Sequence, residues 1–478
     1  MKKYINNFII CIVFILIILV RIVFILTLEL PVDSDEAVFG LMTKYIFDGK
    51  DYPIFVWKAH YVGTVSCYIS ALLWKIFGVS NYILRYTMII WEIVGIIFFS
   101  LLFNKDIFLL ILLSFVFVPM RVMYYTSSAL YYGELFTLGM IPFFLLKTFI
   151  EKENKNKFLY FVFGFVNGFG IYHQPLYIPY FLTSMILFFK HKLWKNKYFR
   201  ILIELGFLLG LLPLVVYNIQ NPLATFRRLG GRLILSSSIE NKVSFLNFVG
   251  YVFNAIEYLY GSSFVIYFLL FIVVFFICKK NKFVKTLFFL LFIISFMYFL
   301  ATFNCVVVRG RYLLPTFYAT TGLLALFYTE FYEKNKLIVY FAVLTIIVVN
   351  SLNFSSVFKL PTSNFLDLVC FLQKEKIQYA YSDYWTAYPV VFLSKEKIVV
   401  SPIIADVKGF HDRTPQYKEM VSKCYRKCYI FSSALEKDRI KLVEKLKNLK
   451  INFEQKKLKD KFNIIVFDYK DDDTILLR

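Results

Sequence analysis

Apolar residues along this chain come in long unbroken blocks, with neither the alternation of strands nor the one-sided stripe of soluble helices. The blocks lie at roughly 8–28, 82–103, 107–120, 131–149, 158–172, 176–190, 201–217, 262–278, 286–303, 313–332 and 337–353. A helix needs about twenty apolar residues to cross the hydrocarbon core of a bilayer, so the pattern predicts eleven transmembrane helices. One further stretch, 62–78 within YVGTVSCYISALLWKIFGV, is short and broken by polar residues, and is expected to lie along the membrane surface as an interfacial helix. After about residue 354 the pattern changes. Short β-rich runs (IQYAYSD, KIVVSP, KCYIFSS, FNIIVFDY) alternate with helical spacing, clearest in ALEKDRIKLVEKLKNLK at 434–450. Such alternation predicts a small α/β domain, giving a membrane domain at 1–353 and a soluble domain at 354–478.

Composition agrees with the pattern. The 478 residues are 59% hydrophobic and 20% aromatic, with a mean hydropathy of +0.64, which defines a polytopic membrane protein. The net charge of +22 would suggest nucleic acid in a soluble protein. Here many of the Lys and Arg residues sit in short loops between apolar blocks and act as topology signals, so no nucleic-acid partner is expected. With 62–78 on the surface, Lys2, Lys3, Lys105, KTFIEKENKNK (147–157), KHKLWKNKYFR (190–200), KKNKFVK (279–285) and EKNK (333–336) share one face, the cytoplasmic one. The opposite face receives 29–61, 121–134, 171–175, the loop 218–261, 304–312 and the tail. The expected location is a plasma membrane, with the N-terminus inside and the C-terminal domain outside. The first block is long for a signal peptide and lacks a small-residue cleavage site, so it is read as a span.

The polar residues that stand out follow the first block, in LELPVDSDEAVFGLMTKYIFDGKDYP (28–53), where Asp33, Asp35 and Glu36 crowd together. Ionised carboxylates at a membrane edge are costly unless they meet a cation, a donor or a proton. Helix capping explains one of the three; the others suggest a site. Within the spans the main acids are Glu92 and Glu204, the kind of group a transporter or flippase would use, although no internal repeat accompanies them. Cys11, Cys67 and Cys278 read as small apolar residues. Cys424 and Cys428 are spaced for a disulfide in an oxidising compartment.

The order of motifs resembles the GT-C fold membrane glycosyltransferases, in particular the family of protein O-mannosyltransferases and aminoarabinose transferases (glycosyltransferase family 39 type). The resemblance rests on DSDEAVFGLMTKYIFDGKDYPIF, HYVGTVSCYISALLWKIFGVSNYILRY, YYTSSALYYGE, GFGIYHQPLYIPYF and RGRYLLP, and covers roughly residues 8–353. It implies transfer of a sugar from a polyprenyl-phosphate donor to a hydroxyl of an envelope lipid, glycan or protein at the outer face, with membrane lipids as further partners. Asp35 is then the base of an inverting displacement and Glu36 the second choice. A leaving lipid phosphate needs cations. Arg309 and Arg311 beside Tyr312, and Arg227, Arg228 and Arg232 in TFRRLGGRL, are the candidates, since the guanidinium fork binds phosphate oxygens in pairs. Contact with lipid headgroups is the plainer reading of the same arginines.

In some members of that family a His joins acids around a divalent metal, which here would engage His173 with Asp33, Asp35 or Glu134. The surface helix carries Ser66 where relatives have an acid. Either His60, preceding Tyr61, compensates or the enzyme is metal-independent, and both alternatives stay open. Tyr61, His60 and Glu134 are further substrate-binding candidates. The loop aromatics Tyr124, Tyr125, Tyr131 and Tyr132 suit an interfacial belt as well as sugar stacking. In the tail, Tyr384, Trp385 and Tyr388 suit either sugar stacking or that domain's core.

Overall fold

A computed structural model describes residues 2–28, 33–130, 132–152, 156–229, 245–278, 281–302, 310–354, 364–404, 412–459 and 461–468. The chain divides into two compact units. The first comprises Met1–Thr27, Ala59–Leu73 and Tyr82–Leu360; the second comprises Leu28–Lys58, Trp74–Asn81 and Pro361–Arg478. Composition placed the domain boundary at 353/354, next to residues 355–363, which lie outside the described residues. The second unit contains 28–58 and 74–81 in addition to the tail.

Each of the eleven expected apolar blocks carries a helix, and further helices lie between them. In chain order these are α1 (Lys2–Thr27), α2 (Ser34–Phe47), α3 (Val65–Phe77), α4 (Tyr82–Ser100), α5 (Phe108–Val116), α6 (Met120–Ser127), α7 (Gly133–Lys152), α8 (Lys157–His173), α9 (Ile178–Lys190), α10 (Lys197–Gln220), α11 (Phe245–Tyr260), α12 (Phe264–Ile277), α13 (Lys282–Thr302), α14 (Leu314–Phe331) and α15 (Lys336–Phe354). Among the described residues five helices are long and apolar enough to cross a membrane, or seven if two bent pairs each count as one span. Eleven were expected.

Two differences from the sequence reading have clear causes. The block at 107–120 ends early: Phe117 turns extended, Pro119 follows, and α6 leaves at 90°. Proline disfavours helical backbone in the residue before it, which stops α5 there. The segment 245–260, read as part of a loop, is the helix α11, because its apolar residues recur at helical spacing and bury Ala255, Leu259 and Tyr260.

Within the first unit, α8 and α10 meet backbone to backbone. A Cβ on Gly164 would lie 2.0 Å from the Ile203 carbonyl oxygen, and one on Gly206 would lie 2.1 Å from that of Phe161. Gly168 and Gly210 repeat the arrangement one turn on. Small residues four apart on facing helices are how helices in lipid approach closely enough for dispersion to hold them. A second tie is buried and ionic. Arg21 of α1 donates to both Glu92 carboxylate oxygens of α4, at 3.3 and 3.0 Å, and to the Val116 carbonyl at 2.7 Å. The helix α14 is buried from Leu314 to Glu330, and Tyr318 stacks on Phe136 at 3.8 Å. A helix walled in by protein can carry Thr316, Thr320, Thr321 and Thr329, which explains its modest hydropathy.

The second unit is built on a five-stranded sheet of order β2-β1-β3-β5-β4. The strands are β1 (Tyr379–Ser382), β2 (Val399–Pro402), β3 (Arg426–Ser432), β4 (Phe453–Leu458) and β5 (Phe462–Asp468). β1 runs parallel to β2 and β3, while β3–β5 and β5–β4 are antiparallel. Four strands match the expected β-rich runs. The fifth, FEQKKL, is a charged edge strand whose outward Lys and Glu residues hide it from a hydropathy reading. The helices of this unit are α16 (Phe365–Lys374), α17 (Tyr384–Leu393), α18 (Pro415–Ser422) and α19 (Glu436–Asn448). Helix α2 packs on α17 so closely that a Cβ on Gly40 would lie 2.2 Å from the Phe392 ring. Cys424 and Cys428 are free thiols, not a disulfide; Cys428 is buried in β3 and Cys424 points at the Arg426 carbonyl, 3.3 Å away.

Candidate functional site

Helix α2 starts at Asp33, whose extended backbone (φ −157°) lets its carboxylate accept the Glu36 N–H at 3.0 Å. Asp33 is therefore the N-cap. Asp35 and Glu36 fall in the first turn, where the helix dipole favours negative charge. Glu36 is buried, at 1% exposure, whereas Asp35 is half-buried.

Asp35 is held from the tail. The Tyr384 hydroxyl donates to Asp35 Oδ1 at 2.6 Å, and Ser34 Oγ donates to the Tyr384 carbonyl at 2.5 Å. Tyr384 itself opens α17 behind its own N-cap, Asp383, which accepts the Thr386 N–H. Two helix N-termini are thus tied by two hydrogen bonds of opposite sense. The Arg413 guanidinium lies 5.7 Å from the Tyr384 ring centre and donates to the Trp57 carbonyl at 3.3 Å. Burial first, and then the Asp35 charge, push the Tyr384 phenol well above its usual range, against a smaller opposing effect of Arg413. Tyr384 therefore stays a neutral donor at any working pH. Of the three tail aromatics, Tyr384 and Tyr388 are core and Trp385 is 54% exposed.

The far end of α2 is fastened too. Glu396 accepts from Tyr45 and Tyr417, each at 2.9 Å, and from Lys44. Burial alone would raise the Glu396 carboxyl, but the hydrogen bonds from Lys44, Tyr417 and Tyr45 outweigh it and hold it below the usual carboxylate range.

The first unit holds the remaining candidates. Glu134, in the first turn of α7, pairs with His173 Nε2 at the end of α8, both 1% exposed. The Gly63 N–H donates to the His173 carbonyl at 2.8 Å, and a Cβ at Gly63 would lie 3.1 Å from His173 Nδ1. His60 has left-handed backbone (φ 65°); its Nδ1 lies 2.5 Å from the Tyr217 hydroxyl, and its carbonyl accepts from Thr225 Oγ1 at 2.6 Å. It lines an open groove of about 450 Å³ with Asn221, Pro222, Ala224, Arg227 and Arg228. His60 and the 227–228 pair, remote in sequence, are brought together here. Tyr61 is half-buried nearby in the chain.

Arg311 lies 5.7 Å from the Tyr312 ring centre. Gly310 before it is needed by close approach, since a Cβ would come within 2.7 Å of Tyr258. Tyr258 also receives Arg121, whose guanidinium sits 4.5 Å from the ring centre. Arg121 escaped the sequence reading because it lies three residues before YYTSSALYYGE, a motif singled out for its tyrosines. Tyr125 and Tyr132 are buried and edge-to-face at 5.6 Å. Arg232, Arg309 and Tyr131 lie outside the described residues.

One of the two acids expected to be buried is not. Glu204 is not a buried acid: its side chain is 61% exposed, 3.5 Å from Arg200. Glu92 is buried but already neutralised by Arg21. For a metal, Asp33 is occupied as a cap and His173 is paired with Glu134. Among the described residues no three His, Cys, Asp or Glu side chains gather to hold an ion. The residues present do not make up a ligand set, and no step below is routed through one.

No family model matches the sequence, and no curated protein does. Solved structures do match in fold. ArnT from Cupriavidus metallidurans, in a structure bound to undecaprenyl phosphate, aligns at a TM-score of 0.60 and 11% identity over 96% of this chain and 97% of that one. Its apo structure aligns at 0.62 and 11% over 95% and 97%. The oligosaccharyltransferase of Archaeoglobus fulgidus, in complex with Zn and sulfate, aligns at 0.54 and 11% over 89% of this chain and 68% of that one. The chain has the GT-C fold that these proteins share.

Proposed function

We propose that the protein is a membrane glycosyltransferase that moves a sugar from a polyprenyl-phosphate donor to an acceptor hydroxyl, with Asp35 as base. The observation that carries this reading is the GT-C fold over nearly the whole chain, combined with a half-buried carboxylate in the first helical turn after α1. In the proposed reaction Asp35 takes the acceptor's proton as its oxygen attacks the anomeric carbon. The bond from that carbon to the lipid phosphate breaks on the opposite side, and configuration inverts. A carboxylate has about four acceptor sites, so the hydrogen bond from Tyr384 orients Asp35 without by itself exhausting it. The departing phosphate needs fixed positive charge, and we assign this to Arg311 and to the Arg227–Arg228 groove. The orientation proposed from the loop charges has the N-terminus cytoplasmic and Asp35 outside.

The test is turnover by purified protein in lipid, offered a panel of polyprenyl-phosphate sugars and an envelope extract, with release of free polyprenyl phosphate as readout. Release by the wild type that is lost in Asp35→Asn supports the reading. Equal release from both proteins removes Asp35 from its role. No release from any donor removes the transferase reading.

A further inference from the structure

We infer that Tyr384 is a positioning residue for Asp35, so that helix α17 completes the reaction site instead of merely packing beside it. The inference rests on the proposed role of Asp35 and adds to it a residue 349 positions away in sequence.

The hydrogen bond itself is short. At 2.6 Å, the Tyr384–Asp35 contact falls in the range of hydroxyl donors to ionised carboxylates, which are about twice as strong as neutral pairs. The donor is also immobile. Its carbonyl is bound by Ser34, and its ring stands edge-on to Trp385 at 5.0 Å and to Tyr388 at 5.3 Å. Arg413 lies 5.7 Å from that ring and is itself anchored on Trp57. A rigid donor fixes the carboxylate's rotamer as well as its distance.

Tyr388, one turn further along the same helix, supplies the contrast. Its hydroxyl accepts the backbone N–H groups of Arg413 at 2.6 Å and Thr414 at 3.2 Å, which is what a buried phenol does when its task is to close a loop. Tyr384 spends its hydroxyl on a half-buried acid. A purely architectural tyrosine has no need of that partner, whereas a base that must meet an acceptor hydroxyl in one geometry does, since misplacement by about 1 Å costs around 100-fold in rate.

The experiment measures kcat, KM for donor and acceptor, and thermal midpoint for the full chain in lipid. Tyr384→Phe is expected to lower kcat by about 10-fold or more, with both KM values within about two-fold and a midpoint close to wild type. Ser34→Ala loosens the Tyr384 backbone while keeping both the hydroxyl and the carboxylate, and is expected to give a smaller kcat loss with unchanged KM. Tyr388→Phe should lower the midpoint and keep kcat. If Tyr384→Phe keeps full kcat while Asp35→Asn is dead, the inference fails and the assignment of the base survives. If Asp35→Asn is itself fully active, both fall together. Should Tyr384→Phe not fold, Ser34→Ala decides, and an unchanged kcat there overturns the inference.

Discussion

Asp35 and Glu92 are both acids near helix ends or interiors of apolar sequence, and the structure treats them in opposite ways. Glu92 is 2% exposed and bound through both oxygens to Arg21. Asp35 is half-buried and oriented by a neutral phenol. A full counter-charge bound through both oxygens ties an acid into the structure. A neutral donor aims the acid without itself cancelling its charge. The partner's chemistry, more than the acid's position in the sequence, separates a candidate base from a structural tie.

The comparison breaks first at Asp35. Asp35→Asn keeps size and helix start but removes basicity, and is expected to cut turnover by about 100- to 10,000-fold with little change in thermal midpoint; a variant that retains activity would make the two acids equivalent. The next largest effect is on Glu92. Glu92→Gln or Arg21→Met alone leaves a buried charge uncompensated, which costs about 3–5 kcal/mol, whereas the double replacement Arg21→Met with Glu92→Leu should recover most of that loss. Thermal unfolding in detergent measures both, and additive losses would show that the pair is not coupled.

A third effect depends on pH. The folded Glu396 carboxyl is held below its unfolded value, so its hydrogen bonds stabilise the protein above about pH 4.3 and this contribution is lost as pH falls through the lower folded value. Glu396→Gln should therefore have a lower midpoint than wild type at pH 7, with the gap narrowing in acid; a gap that widens would reverse the sign. The smallest effect is at Trp385, the exposed aromatic next to Tyr384. Trp385→Ala is expected to raise the acceptor KM a few-fold through lost stacking of about 0.5–1.5 kcal/mol, leaving the midpoint unchanged.

The positions of the helices are legible because each apolar block is long enough to form one; how many cross a membrane is not, since among the described residues five to seven are long and apolar enough, against eleven expected. The β-rich runs of the tail are legible for a related reason, since buried strands must be apolar. What escapes are features decided by a single residue or by a distant partner. Pro119 bends a block that hydropathy shows as continuous, and FEQKKL is a strand whose charges face outward. Glu204 sits in an apolar run yet points away from the protein, because composition does not reveal which face of a helix is covered. At the candidate site, the N-cap role of Asp33 can be read from local spacing. The hold of Tyr384 on Asp35 cannot, since no local pattern links residues 349 apart.

That separation has a consequence for biogenesis. Helix α2 belongs to the same compact unit as α17, and its Gly40 face is shaped to receive Phe392. At a synthesis rate of about 5–20 residues per second, α2 leaves the ribosome between roughly 17 and 70 s before Tyr384 does. The second unit can close only after the segment that carries α17 has been made. A product interrupted before Tyr384 would keep helices α1 to α15 and lack the hydrogen bond that holds Asp35.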